Sequence, residues 1–188
     1  MSLIVAFVGS PRKNGNTDNL VDEILKGAYS KGIEVKKFHL NDMNIRSCQG
    51  CLYCRKVEAC IIKDDMVEIY EYVKKADVVV LGTPVYICQV SAQTKLLLDR
   101  FYPLTEIDKS KHTPRFGGKQ LITVFTQAAP FPFLFKRYFK YTVKHLKGMG
   151  LIHHKMLIAT KSFQKDSFVN NKRIMEKAYR IGTNLVNR

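Results

Sequence analysis

No run of residues in this chain is long and apolar enough to cross a bilayer, and no repeat, low-complexity tract or Gly/Pro/Ser-rich linker divides it. The 188 residues are therefore expected to form a single domain, 1–188, large enough for a proper core. The opening apolar run Leu3–Val8 has no basic lead-in and breaks at Ser10-Pro11-Arg12, so it reads as a strand rather than an export signal, and a cytoplasmic location is expected. No Ser-His-Asp or paired-carboxylate arrangement is suggested, and His112, His145, His153 and His154 share no metal-ligand spacing. The loop after the first apolar run follows neither G-x-G-x-x-G nor G-x-x-x-x-G-K-[ST], which disfavours a dinucleotide fold and a P-loop. Acidic residues are scarce in one half only. Residues 1–108 balance 14 Lys and Arg against 14 Asp and Glu, whereas residues 109–188 carry 17 against Asp166 and Glu176, and so hold the whole net charge of +15. Such a field attracts anions: a nucleotide phosphate, an acidic redox partner, nucleic acid or a membrane surface.

What is present begins with Val8-Gly9-Ser10-Pro11-Arg12-Lys13-Asn14-Gly15-Asn16-Thr17, between that apolar run and an amphipathic helix expected from Thr17 to Lys31. Hydroxyls, amides, a flexible Gly15 and two cations surround a helix N-terminus, where free backbone N–H groups favour an anion. A loop holding one phosphate suits a mononucleotide. Further strands are expected at Ile33–Leu40, Val78–Leu81, Gln120–Thr126 and Leu151–Ala159. Helices are expected after an Asp64 cap, from about Ser91, from Phe133 to Lys147 and from Val169 to Val186, with Pro103–Gly118 as a loop. Five strands alternating with five helices imply an α/β parallel sheet with helices on both faces. Residues 41–63 show no periodicity yet hold four of the five cysteines, and long irregular loops in compact domains are usually functional.

Three stretches resemble the flavodoxin-like NAD(P)H-dependent FMN reductases, and within them the iron–sulfur flavoproteins. These are Gly9-Ser10-Pro11-Arg12-x-x-Gly15-Asn16-Thr17, then Thr83-Pro84-Val85-Tyr86 with Lys95 and Asp99-Arg100, and the cysteine cluster followed by Asp64-Asp65-Met66. The resemblance implies a flavodoxin-like three-layer sandwich with strand order 2-1-3-4-5, whose ligand crevice lies at the carboxyl ends of strands one and three. It also implies FMN, its phosphate on Ser10, Arg12, Asn16 and Thr17, with Lys13 and Gly15 of the same loop among the cofactor-binding residues, and its ring beside Pro84, Val85, Tyr86 and Ile87. Thr126 and Gln127, after the fourth strand, are further candidate contacts. NAD(P)H would be the hydride donor, with a small-molecule or protein acceptor and a homo-oligomer, dimer or tetramer. A second reading is an electron carrier that exchanges single electrons with a ferredoxin-like partner. A third, a flavin-free basic module for nucleic acid, has only the charge behind it, and no nucleic-acid partner is expected.

Cys48-x2-Cys51-x2-Cys54-x5-Cys60 places four soft ligands within thirteen residues and resembles the ligand run of [4Fe–4S] ferredoxins, with a longer last gap and no following Pro. A [4Fe–4S] cluster, zinc, a disulfide and free thiols all remain open for it. Cys88 reads as a small buried hydrophobe. In the basic half, Phe135, Tyr138, Phe139, Val143 and Leu146 recur at helical spacing opposite Lys136, Arg137, Lys140, Lys144 and Lys147. That pattern fits a helix packed by its apolar face, and membrane contact is not expected from it, since helices of globular proteins share such a moment.

Overall fold

A computed structural model of the protein describes residues 2–108 and 111–185. Its main sheet is built from β1 (Leu3–Val8), β2 (Glu34–His39), β3 (Val78–Tyr86), β7 (Lys119–Thr126) and β8 (Leu151–Ala159), all parallel, in the order β2-β1-β3-β7-β8. Counted along the chain this is the expected 2-1-3-4-5. A two-residue strand, β4 (Gln89–Val90), turns back on β3, and a separate hairpin pairs β5 (Thr105–Asp108) with β6 (Lys111–Pro114). The helices are α1 (Asn16–Tyr29), the single turn α2 (Tyr53–Lys56), α3 (Met66–Lys75), α4 (Ala92–Arg100), α5 (Lys136–Leu146) and α6 (Lys172–Thr183).

Alternation along β1 sorts the helices into layers. Ile4, Ala6 and Val8 face one core, with Leu20, Val21 and Ile24 of α1 and Ala178 of α6. Leu3, Val5 and Phe7 face the other, with Ile69 and Val73 of α3, Leu97 of α4, and Phe139 and Val143 of α5. All six residues of β1 are buried, which is why it reads as one apolar run, whereas β2 at the sheet edge is mostly half-buried. The fold is thus a three-layer α/β sandwich of the flavodoxin type.

Several local expectations need correction. Residues 103–118 are not all loop, since they contain the β5–β6 hairpin. Asp65 occupies the position before α3 but makes no side-chain cap, whereas the Asp64 carboxylate accepts the Met66 amide at the helix start (3.1 Å) and also binds Arg100. Helix α5 starts at Lys136 and α6 at Lys172, each three residues late, because Phe133–Phe135 and Val169–Asn171 form turns. The expected end of α6 at Val186 lies outside the described residues. Cys88 is exposed, in a turn where Ile87 and Cys88 both have positive φ (45° and 64°). Among the described residues, no helix is long and apolar enough to cross a membrane.

Candidate functional site

Strand order reverses at β1. The chain moves outward to β2 and returns to β3, which leaves a crevice beyond the carboxyl ends of β1 and β3. A cavity of about 430 Å³ opens there, within the size range of small-molecule sites. Its walls are Ser10, Arg12, Asn16 and Thr17 from the β1–α1 loop, Pro84, Val85 and Tyr86 from β3, Thr126 and Ala128 from the end of β7, and Ser162–Lys165 after β8.

The β1–α1 loop is held from several sides. Gly9 donates its N–H to the Gly82 carbonyl (2.8 Å), and its own carbonyl accepts from the Ser91 hydroxyl (2.6 Å), so β1, β3 and the start of α4 meet at one residue. A Cβ at Gly9 would stand 1.8 Å from Thr94 Oγ1, so only glycine allows this approach. Ser10 Oγ accepts from the Arg12 amide (3.2 Å), and the Asn14 amide, at φ 53°, donates to Asp18 (2.8 Å). Thr17 Oγ1 shares a 2.7 Å hydrogen bond with Thr126 Oγ1, joining the loop to β7. Gly15 caps α1 through its backbone alone, so the first-turn amides have no side-chain partner within the cap. An anion-binding helix end, two buried hydroxyls (Ser10 and Thr17) and the Arg12 cation therefore face one cavity, whose other wall is an apolar and aromatic strand end.

Eight of the twelve residues expected to bind the cofactor line this cavity: Ser10, Arg12, Asn16, Thr17, Pro84, Val85, Tyr86 and Thr126. Four do not. Lys13 is exposed and pairs with Asp42 (2.7 Å), and Gly15 forms the turn by donating to the Arg12 carbonyl (3.2 Å). Ile87 is 94 % exposed. Gln127 is buried and donates its amide to Ala129 and Phe131 carbonyls (3.2 and 2.9 Å). Asn16 lines the wall, but both ends of its side chain hold the segment after β8: Nδ2 donates to the Gln164 carbonyl (2.5 Å) and Oδ1 accepts from the Phe168 amide (3.2 Å). Ser162, Phe163, Gln164 and Lys165 escape sequence reading. No motif marks them, and the Asn16 link spans 148 residues.

The cysteine loop lines a second cavity. Cys48, Cys51, Cys54 and Cys60 all line a cavity of about 450 Å³, with Leu52, Ile61, Ile62, Leu98, Tyr102 and Met149 among the apolar walls. Cys54 is buried, Cys60 half-buried and Cys48 and Cys51 exposed; none is in a disulfide. Leu52 adopts a left-handed conformation (φ 57°), which is uncommon for a residue other than glycine. Among the described residues, no three His, Cys, Asp or Glu side chains converge tightly enough to hold a single metal ion.

Buried Arg100 fixes both ends of this loop, and half-buried Arg55 anchors its middle. Arg100, 1 % exposed, donates to Asp64 Oδ2 (2.7 Å) and Oδ1 (3.0 Å) and to the Arg46 carbonyl (2.6 Å), so it binds the chain on both sides of the cysteines. Burial disfavours the Asp64 carboxylate, but the hydrogen bonds from Arg100 and from the Arg46 and Met66 amides outweigh that and hold its pKa below the ordinary value. Burial likewise pushes the Tyr70 phenol up, and its hydroxyl donates to the Arg100 carbonyl (2.5 Å). Arg55 stacks on Tyr102 (4.1 Å) and donates to the Thr105 and Tyr102 carbonyls (2.7 and 2.6 Å). Its Nη2 also lies 3.7 Å from the Cys54 sulfur. The Nε atoms of both Arg55 and Arg100 are buried without a hydrogen-bond partner among the described residues. The Cys54 sulfur thus lies beside a cation with an unused donor, a setting that suits a thiolate.

The position of the cysteine loop after strand two predicts that it lies at the carboxyl edge of the sheet, the same edge as the first cavity, but the structure carries the cysteines away from that edge. The loop leaves the carboxyl edge at Asn41, which Gln93 holds by a 3.0 Å hydrogen bond, and then follows α4 to its far end at Arg100. Ser91, which caps α4, bonds Gly9 next to the first cavity, and Leu98–Arg100 at the other end of α4 line the second, so the two cavities lie towards opposite ends of this helix.

The sequence profile of the family described as NADPH-dependent FMN reductase matches residues 2–131 of the chain. An iron–sulfur flavoprotein of Archaeoglobus fulgidus is 38 % identical over 115 residues, 61 % of this chain and 50 % of that protein. One from Methanocaldococcus jannaschii is 44 % identical over 101 residues, 54 % and 52 %. The chain thus matches about half the length of these relatives. Among solved structures, an NAD(P)H:quinone oxidoreductase from Methanothermobacter marburgensis superposes with a TM-score of 0.75 at 14 % identity, covering 99 % of both chains, which establishes the shared fold.

Proposed function

Because the chain belongs to the NADPH-dependent FMN reductase family, we infer that it is an FMN-dependent oxidoreductase that takes hydride from NADH or NADPH and reduces a small-molecule or protein acceptor. The observation that carries this reading is the cavity at the β1–α1 turn, where an anion-binding helix end and Arg12 face an apolar strand end. When bound, FMN supplies the electron chemistry: it accepts two electrons and passes them on together or singly. The chain's own residues bind and orient. Ser10, Arg12, Thr17 and the first-turn amides of α1 take the phosphate, and Lys165 adds a cation on the opposite wall. Pro84, Val85 and Tyr86 offer the ring an apolar wall, and Tyr86, 43 % exposed, has free surface to stack against it. Hydride exchange between a nicotinamide and a flavin requires no side chain to transfer a proton.

Cys48, Cys51, Cys54 and Cys60 are the residues that would hold a [4Fe–4S] cluster, which would add single-electron capacity. Their common cavity and the relatives named iron–sulfur flavoproteins favour the second reading, an electron carrier serving a ferredoxin-like partner. A homo-oligomer, as the family resemblance implies, belongs to the same proposal. Anaerobic rapid mixing of the flavin-loaded protein with NADH or NADPH separates the readings. An oxidoreductase bleaches the flavin absorbance at a rate that rises with nucleotide concentration. Slow bleaching by both nucleotides, with fast reduction by a reduced ferredoxin, would replace the enzyme reading with the carrier.

A further inference from the structure

The basic stretch after β7 does not pack as a plain amphipathic helix. Phe139, Val143 and Leu146 are buried, but Phe131 (54 % exposed), Phe133 (66 %), Leu134 (50 %) and Tyr141 (63 %) stand in solvent. The rings of Phe131 and Phe133 stack on each other at 5.4 Å rather than on the core. Their loop is braced from behind, since the buried Gln127 side chain donates to the Ala129 and Phe131 carbonyls, so the aromatic tip is presented and not merely loose. Exposed cations follow the tip along α5: Lys136, Arg137, Lys140 and Lys144, none with an ion-pair partner among the described residues. Between Asp108 and Asp166 the sequence contains no acidic residue.

We propose that this patch is a docking surface for an anionic phospholipid membrane, with Phe131, Phe133 and Leu134 entering the interface and Lys136, Arg137 and Lys140 meeting the headgroups. Exposed aromatic and aliphatic side chains flanked by cations are what such an interface takes up, since the apolar tips gain burial and the cations gain counter-charge. A second copy of the chain is the poorer occupant. A two-fold contact over this patch would set its cations against their own images, with no carboxylate between Asp108 and Asp166 to neutralise them. Nucleic acid would use the cations but leave the aliphatic Leu134 without purpose. The chain continues from Ala128, on the wall of the first cavity, into this tip within three residues, so docking would bring that cavity's rim close to the bilayer surface. The proposal stands on the patch alone and survives if the cavity proves not to hold FMN.

The test is co-sedimentation of the full chain with vesicles of phosphatidylcholine alone and of phosphatidylcholine mixed with phosphatidylglycerol. Binding is expected only to the mixed vesicles, weakening as salt rises. It should fall by about ten-fold or more both in Phe131→Ser/Phe133→Ser/Leu134→Ser and in Lys136→Glu/Arg137→Glu/Lys140→Glu, with far-UV circular dichroism and flavin content unchanged. Equal affinity for both vesicle types, or for neither, overturns the proposal. So does a result in which the aromatic variant keeps vesicle binding but turns an oligomer into a monomer, which would make the patch an interface between copies. If the charge variant alone loses binding, and nucleic acid competes for the same surface, the membrane reading fails as well. Should a variant unfold, single Phe133→Ser and Arg137→Glu substitutions carry the same comparison.

Discussion

Replacing Arg100 by Met should be one of the most damaging single changes in this protein. The substitution removes a guanidinium that is 1 % exposed and leaves the Asp64 carboxylate, also 1 % exposed, with only the Arg46 and Met66 amides (2.9 and 3.1 Å). Breaking a buried ion pair from one side costs about 3–5 kcal/mol, because an uncompensated charge stays behind. Total stabilities are about 5–15 kcal/mol, and a chain of this length loses about 2–4 °C in Tm per kcal/mol, so a drop of about 6–20 °C is expected. The pH dependence identifies the cause. Asp64 has a depressed pKa in the folded protein, so its contribution is fully present above the ordinary carboxylate value of about 3.9 and is lost as pH falls through the lower folded value. In Arg100→Met the stranded carboxylate is relieved by protonation, so the gap to wild type should shrink as the pH is lowered towards 3. The double variant Asp64→Asn/Arg100→Met, which leaves no buried charge, should be more stable than Arg100→Met alone at neutral pH. Urea unfolding at pH 7 and at pH 4 measures all three. A cost within about 1 kcal/mol of wild type, or a gap that does not change with pH, would refute the reasoning.

Two further expectations follow from the same geometry. Gly9→Ala should cost about 1–3 kcal/mol by forcing a methyl against Thr94 Oγ1, and Gly9→Ala/Thr94→Ala should recover part of it; a thermal double-mutant cycle with no coupling would contradict the contact. Cys54→Ser should lower the iron and sulfide content of anaerobically purified protein without changing flavin content, because the cysteine cavity and the β1–α1 cavity share no residue. Equal iron in wild type and variant would remove the cluster from the account.

The sheet could be read from the sequence because burial imposes a pattern on it. A strand covered on both faces, such as Leu3–Val8, must be apolar throughout, and Val78–Leu81 follows the same rule. The β5–β6 hairpin escaped reading because its strands carry little such pressure: Glu106, Lys111, His112 and Pro114 are exposed, and nothing alternates. At the first cavity, Ser10, Arg12 and Thr17 were legible because a phosphate-type loop draws its groups from one short segment. Ser162–Lys165 were not, since they are brought in by the parallel pairing of β7 with β8. Cys88 was misjudged because a thiol's burial depends on which way its turn faces, which no local pattern fixes. The place of the cysteine cavity at the far end of α4 rests on the Arg100–Asp64 pair, 36 residues apart, and only the folded chain shows it.

Titrating flavin-free protein with FMN, followed by flavin fluorescence quenching, tests the central claim most directly. Wild type should bind one FMN per chain, and Arg12→Ala should weaken binding by about ten-fold to a hundred-fold through loss of a charge-assisted contact to the phosphate. Riboflavin, which lacks that phosphate, should bind wild type and Arg12→Ala about equally. No FMN binding by wild type, or the same affinity for FMN in both proteins, would contradict the account.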